Sequence, residues 1–205
     1  MQYLREHGEE CNTSTGQIGV MGFSAGGHLA STVATHLTGD ELPVFQILFY
    51  PVITMNATNT HAGSRQNLLG SNPKAALVNE YSNEKQVSEE TPPAYICYAN
   101  NDGTVPIVNS TIYATALKRK GVPVHVIHFA TGGHGFGFKT TYEHHDEIVA
   151  DLTQWLLGID EMLTGILGPS VSHPNSDACY NVAGQPVSLP SHGIYITQGK
   201  KWLVR

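Results

Sequence analysis

Ser24 stands in the stretch "IGVMGFSAGGHLAS", residues 18–31, flanked by Gly22, Ala25, Gly26 and Gly27. A serine hydroxyl is a weak nucleophile unless a base takes its proton and an acid orients that base. Two residues downstream are of the right types. Asp102 is the only carboxylate of the turn in "AYICYANNDGTVP", and His134 lies in the glycine-rich loop of "VHVIHFATGGHGFGF". Each has a plainer reading: a serine in a glycine-rich turn, an aspartate that merely forms "NDG", or one loop histidine among eleven. The order serine, acid, histidine, each directly after its own apolar run, favours nucleophile, acid and base.

Such a serine must sit on a sharp turn from strand to helix, where close approach of the two elements demands small neighbours. "QIGVMGF" supplies the strand and "GGHLASTVATHL" the helix. The Ala25 N–H then falls at a helix N-terminus, where it can donate to an oxyanion. Three further runs read as buried strands, 44–52, 94–100 and 124–130, beside the first at 17–23. Helical patterns lie between them. Leu29, Val33 and Leu37, with Ala30 and Ala34, share one face; Val108, Ile112 and Ala116, with Tyr113 and Leu117, share another before the "KRKG" stop. A last helix is predicted from "TTYE", with Thr140 and Glu143 as a capping box, continuing through Ile148, Val149, Leu152, Trp155 and Leu156. Strand and helix alternate, and the strands are apolar throughout. That predicts an α/β class, a parallel sheet of about four strands covered by helices.

The stretch 54–93 breaks this rhythm with a polar connection of about 40 residues. Connections so long are commonly binding covers, and a short helix is predicted around 73–81. Arg65 and Tyr81 within it could touch substrate, although a structural part suits them better. After Leu167, "GPSVSHPNSDA" reads as a linker and the remainder as a small β-hairpin unit, so residues 1–167 and 168–205 are expected as separate domains.

The 205 residues carry a net charge of −6 without a basic stripe, which argues against nucleic acid as a partner. No apolar run reaches the roughly 20 residues of a membrane span, and "MQYLREHGEE" lacks the apolar stretch of a signal peptide. Cys11, Cys97 and Cys179 have no paired spacing and read as unpaired. Among the histidines, His28 reads as a packed helix residue. His125 and His128 are an odd number of residues apart on a strand and cannot share a metal. His144 and His145 read as solvated, so no metal site is expected.

As a set, "GVMGFSAGGHLAS", "FQILFYPVITM", "GSRQNLLG", "YSNEKQVSEETPPAYI", "NDGTVP" and "TGGHGFGF" resemble the α/β-hydrolases of the acetylxylan and feruloyl esterase type, usually called BD-FAE-like, near the prolyl oligopeptidase superfamily. The resemblance runs from about residue 2 to residue 157. It implies hydrolysis of esters on decorated plant polysaccharide, or of small acyl esters, with no metal or organic cofactor. It carries the nucleophile onto Ser24, the acid onto Asp102 and the base onto His134, with Ala25 giving one oxyanion donor. That family's fold begins with about four more strands and a His-Gly-Gly loop bearing the second donor. Residues 1–17 contain neither. The expectation is the C-terminal half of an α/β-hydrolase, with the strand before Ser24 exposed as an edge open to self-association and weak activity. The tail "YNVAGQPV…GIYITQGKKWLVR" is similar to C-terminal sorting signals of the type IX secretion system, which implies a secreted or cell-envelope bacterial protein. Two other readings stand beside the esterase: a serine peptidase of the prolyl oligopeptidase type, and a non-catalytic hydrolase fragment.

Overall fold

The computed structural model describes residues 1–8, 10 and 16–164, together with the backbone of the C-terminal strands at 179–181, 186–187, 193–197 and 200–204. In chain order the elements up to residue 164 are α1 (Gln2–Glu6), β1 (Val20–Phe23), α2 (Ala25–His36), β2 (Gln46–Phe49), α3 (Ala62–Leu69), α4 (Ala75–Glu80), β3 (Ala94–Ala99), α5 (Val108–Arg119), β4 (Val124–Phe129) and α6 (His145–Thr164). The strands form one parallel sheet in the order β1-β2-β3-β4. Val20 pairs with Gln46, Gln46 with Ala94, and Ala94 with Val124, so all four strands run in step toward the same edge.

The middle strands β2 and β3 are buried at every position. Their unbroken apolar character follows from cover on both faces. Gln46 is the polar exception, and it is satisfied: its Nε2 donates to the Pro92 carbonyl at 3.0 Å, and its Oε1 accepts from the Tyr113 hydroxyl at 3.0 Å. As expected, β1 lies at the edge of the described sheet, with Met21 44% exposed.

Two expectations need correction. On α2 the face against the sheet is not the Leu29, Val33, Leu37 stripe. Leu29 is 65% exposed, and the buried positions are Gly27, His28, Ala30, Ser31 and Ala34. Small residues win because the helix must lie close to β1 and to Pro51, whose Cα and Cβ sit 2.9 and 2.6 Å from where a Cβ on Gly27 would be. The helix placed at "TTYE" starts only at His145, and no Thr140–Glu143 capping box forms. Glu143 instead accepts from the Thr131 hydroxyl at 2.9 Å, and Tyr142 stacks on Phe136 at 4.6 Å, so residues 139–144 brace the preceding loop. Val149 faces outward, whereas Ile148 and Leu152 are buried. In the stretch 54–93 the short helix predicted around 73–81 is present as α4, and α3 is a further helix that the sequence did not suggest. No residue of α3 is buried, which leaves its sequence without an apolar stripe; its cue is His61, whose Nδ1 accepts from the Ser64 N–H at 3.2 Å.

Met1–Ile159 and Asp160–Arg205 are two compact units. In the second, β5 (Cys179–Asn181), β6 (Pro186–Val187), β7 (Gly193–Thr197) and β8 (Lys200–Val204) form an antiparallel sheet in the order β6-β5-β7-β8. The predicted hairpin is its β7–β8 pair, in which Thr197 faces Lys200. No helix among the described residues is long and apolar enough to cross a membrane.

Candidate active site

Ser24 is the single residue between β1 and α2. Its φ of 54° and ψ of −120° place a non-glycine residue in the sparsely populated left-handed half of backbone space. Such strain persists only where surrounding bonds overdetermine it. Here the Ser24 N–H donates to the Phe49 carbonyl at 2.9 Å, and the Ser24 carbonyl accepts from the N–H groups of Val52 at 3.0 Å and Gly27 at 3.0 Å. Gly22 is required because a Cβ there would run into the Gly26 carbonyl. The Ala25 N–H belongs to the first turn of α2, whose donors have no acceptor within the helix.

Asp102 and His134 arrive from the turns that follow β3 and β4. The His134 Nε2 lies 2.8 Å from the Ser24 Oγ, and its Nδ1 lies 2.6 Å from the Asp102 Oδ2. A carboxylate oxygen only accepts, so the Nδ1 carries the proton and the Nε2 is left to accept from the serine hydroxyl. The other Asp102 oxygen accepts the N–H groups of Thr104 at 2.8 Å and Val105 at 3.0 Å, fixing the carboxylate in its own turn. The Asp102 side chain is 1% exposed and that of His134 18%. The structure thus brings together the three residues that the sequence singled out, in a chain of two short hydrogen bonds.

Sequence reasoning missed what holds the histidine. Tyr50, directly after β2, has a φ of 37°, a genuine outlier for a bulky residue. Its buried ring meets the His134 imidazole edge-on at 4.7 Å and Phe136 at 4.8 Å. Burial raises the Tyr50 hydroxyl above its ordinary pKa, against a smaller opposing effect of a hydrogen bond with the Gly137 backbone. Asn101 fixes the same loop by accepting the Gly133 N–H at 2.8 Å. The only cue in the sequence is Tyr50 preceding Pro51, which by itself says nothing about a histidine 84 positions on.

The remaining candidates take structural places. The His28 Nε2 donates to the Tyr81 carbonyl at 2.8 Å, and burial lowers its pKa. Arg65 donates through Nε to the Met55 carbonyl at 3.0 Å. Tyr81 is nevertheless part of the wall of a cleft beside Ala25. His125 bonds Asp151 at 2.9 Å and His128 stacks on Tyr98 at 5.3 Å. His144 and His145 are half-buried rather than solvated, because His144 stacks on Phe129 at 4.2 Å and bonds Glu147 at 3.2 Å, while His145 bonds Asp146 at 2.8 Å. No cluster of three potential ligands for a metal occurs among the described residues. Cys97 is a buried free thiol pushed well above its usual pKa by burial; the Cys11 and Cys179 side chains lie outside the described residues.

A parallel sheet whose strand ends carry an elbow serine, an acid and a histidine defines a class. Residues 1–138 match the family model described as alpha/beta hydrolase fold, and the chain belongs to that family. More particularly, it is 38% identical over 180 residues to an acetylxylan esterase of Xylanibacter ruminicola, an alignment covering 82% of this chain and 37% of that protein. It is 36% identical over 146 residues to endo-1,4-beta-xylanase B of Butyrivibrio fibrisolvens, covering 66% and 23% respectively. The crystal structure of an acetyl ester-xyloside bifunctional hydrolase from Caldicellulosiruptor lactoaceticus superposes with a TM-score of 0.72 at 36% identity, over 77% of this chain and 62% of that one. The chain therefore spans less than half the length of these curated relatives.

Proposed function

We propose that this chain is the triad-bearing part of a serine esterase acting on acetyl or feruloyl-type esters of plant polysaccharide, or on small acyl esters. The observation that carries the reading is the hydrogen-bonded run from the Ser24 Oγ through His134 to Asp102, set on a strained elbow. In this mechanism the His134 Nε2 takes the serine proton as Oγ attacks the ester carbonyl. Asp102 holds the Nδ1–H and stabilises the imidazolium that forms. The Ala25 N–H faces the developing oxyanion. The imidazolium then gives its proton to the leaving alkoxide, and water, activated by the same nitrogen, releases the acid and restores Ser24.

The test is labelling by a fluorophosphonate, read by intact mass. Labelling at Ser24 is expected, with none in Ser24→Ala and little in His134→Ala; an unlabelled wild-type chain would favour the non-catalytic fragment instead. Acetyl ester is expected to be hydrolysed in preference to an aminoacyl anilide, the reverse order marking a peptidase of the prolyl oligopeptidase type. The position of Ala25 in the first turn of α2 supports its N–H as an oxyanion donor. Loss of one such donor costs about 10²- to 10³-fold in turnover in a comparable serine enzyme. On the same reading residues 168–205 act in export and sorting, and their removal is expected to keep the protein off the cell surface of a bacterium with a type IX system.

A further inference from the structure

The pairing of β3 with β4 does not stop where the two strands end. The Asn100 N–H donates to the Phe129 carbonyl at 2.7 Å and carries the backbone ladder one residue past β3. The next two residues continue it with their side chains. The Asn101 Oδ1 accepts the Gly133 N–H at 2.8 Å, and the Asp102 Oδ2 accepts from the His134 Nδ1 at 2.6 Å. Consecutive residues of one turn thus hold consecutive residues of the other. Ala130, Thr131 and Gly132 lie between the last backbone bond and the first side-chain bond.

The base loop needs such a hold. Gly132 and Gly133 precede His134 with φ of 141° and 62°, and Gly135 and Gly137 follow it with 79° and 49°. A glycine leaves such a conformation as readily as it enters it. The bond to Asp102 fixes the imidazole at its Nδ1 alone. Pivoting about that contact swings the Nε2 away from the Ser24 Oγ, which lies 2.8 Å off. An anchor on the main chain one residue before His134 removes the pivot. We infer that Asn101 is a positioning residue for the base: it locks the main chain at Gly133, so that the acid's turn and the histidine's loop move as one body and the Nε2 stays in reach of the Oγ. The inference rests on the esterase reading above. Because the partner is an N–H, only an accepting atom can serve, and in an asparagine side chain that atom is the Oδ1. Asn101 is exposed, so replacing it removes one bond and no core packing. One intramolecular hydrogen bond of ordinary strength then sets the scale, a slowing of about three- to tenfold.

The experiment compares second-order rates of fluorophosphonate labelling at Ser24, followed by intact mass, in the wild type and three variants. Asn101→Leu has nearly the same size and no acceptor, and it is expected to label at least about threefold more slowly than wild type. Asn101→Asp restores an accepting oxygen at the same reach and is expected to recover more than half of that loss on a logarithmic scale. A defect that merely loosens the fold would not be reversed by returning one oxygen. Thr131→Val removes another bond of the same loop, the 2.9 Å donation to Glu143, and leaves the main chain beside His134 anchored. It is expected to lose less than Asn101→Leu. A slowing of less than about threefold in Asn101→Leu, recovery of less than half in Asn101→Asp, or an equal loss in Thr131→Val overturns the positioning role while the nucleophile reading stands. A wild-type chain that does not label at Ser24 overturns both.

Discussion

Replacing Asp102 with asparagine separates the chemistry of the candidate triad from its architecture. The Asp102 Oδ1 accepts two backbone N–H groups, from Thr104 and Val105, while its Oδ2 faces the His134 Nδ1 at 2.6 Å. In Asp102→Asn the amide oxygen must take the position facing the two N–H donors, since an amide NH₂ there would confront donors with donors. The NH₂ group is thereby forced onto His134. It donates to the Nδ1, the ring proton moves to the Nε2, and the Nε2 then donates to Ser24 instead of accepting from it. The base is lost although every heavy atom keeps its place. The same change in another serine hydrolase, where the aspartate also fixes the tautomer, lowers turnover about 10⁴-fold, or about 5 kcal/mol of barrier. A fall of that order is expected in the second-order rate of fluorophosphonate labelling, followed by quenched time points and intact mass. Thermal unfolding is expected to move little, because both turn bonds survive. Asp102→Ala, which removes those bonds as well, is expected to lose about 1–3 kcal/mol of stability besides. Labelling of Asp102→Asn within tenfold of wild type would refute the argument that Asp102 sets the tautomer of His134.

Three further outcomes follow from the packing around the site. His28 is held neutral by burial, its pKa lowered from 6.5, so the unfolded chain binds a proton there that the folded chain does not; stability is expected to fall as pH drops below about 6.5, and His28→Gln to flatten that slope in urea titrations between about pH 7 and pH 5. Gly22→Ala drives a methyl group into the Gly26 carbonyl at the elbow; a loss of about 1–3 kcal/mol is expected, measured by thermal unfolding, together with slower Ser24 labelling. Tyr50→Phe keeps the ring against His134 and is expected to label within about threefold of wild type, whereas Tyr50→Ala removes an aromatic contact worth about 0.5–1.5 kcal/mol beyond its area and frees the imidazole, so labelling should drop at least tenfold.

Much of this was legible in the sequence because the signals were local. Unbroken apolar runs fixed β2 and β3 as buried parallel strands, and their order along the chain placed Ser24, Asp102 and His134 at the same edge of one sheet. Where local signals competed with packing, packing prevailed. The Leu29 stripe looks like a core face, yet the small residues of α2 take the sheet because only they permit the approach that the elbow requires. "TTYE" fits a capping box, yet Tyr142 is more strongly held against Phe136 and the Thr131 carbonyl, and the helix waits until His145.

The residue types and their order determined by themselves that a serine, an acid and a base could act together, since a nucleophile elbow needs glycines at fixed offsets and each partner needs a strand to carry it. Tertiary structure alone decided the rest: that Tyr50 turns through a strained backbone to meet His134, that Asn101 reaches across to Gly133, and that α3 comes beside α2 to form a cleft next to Ala25. These contacts join residues tens of positions apart, so no spacing or period along the chain encodes them, and they exist only once the sheet has brought its strand ends together.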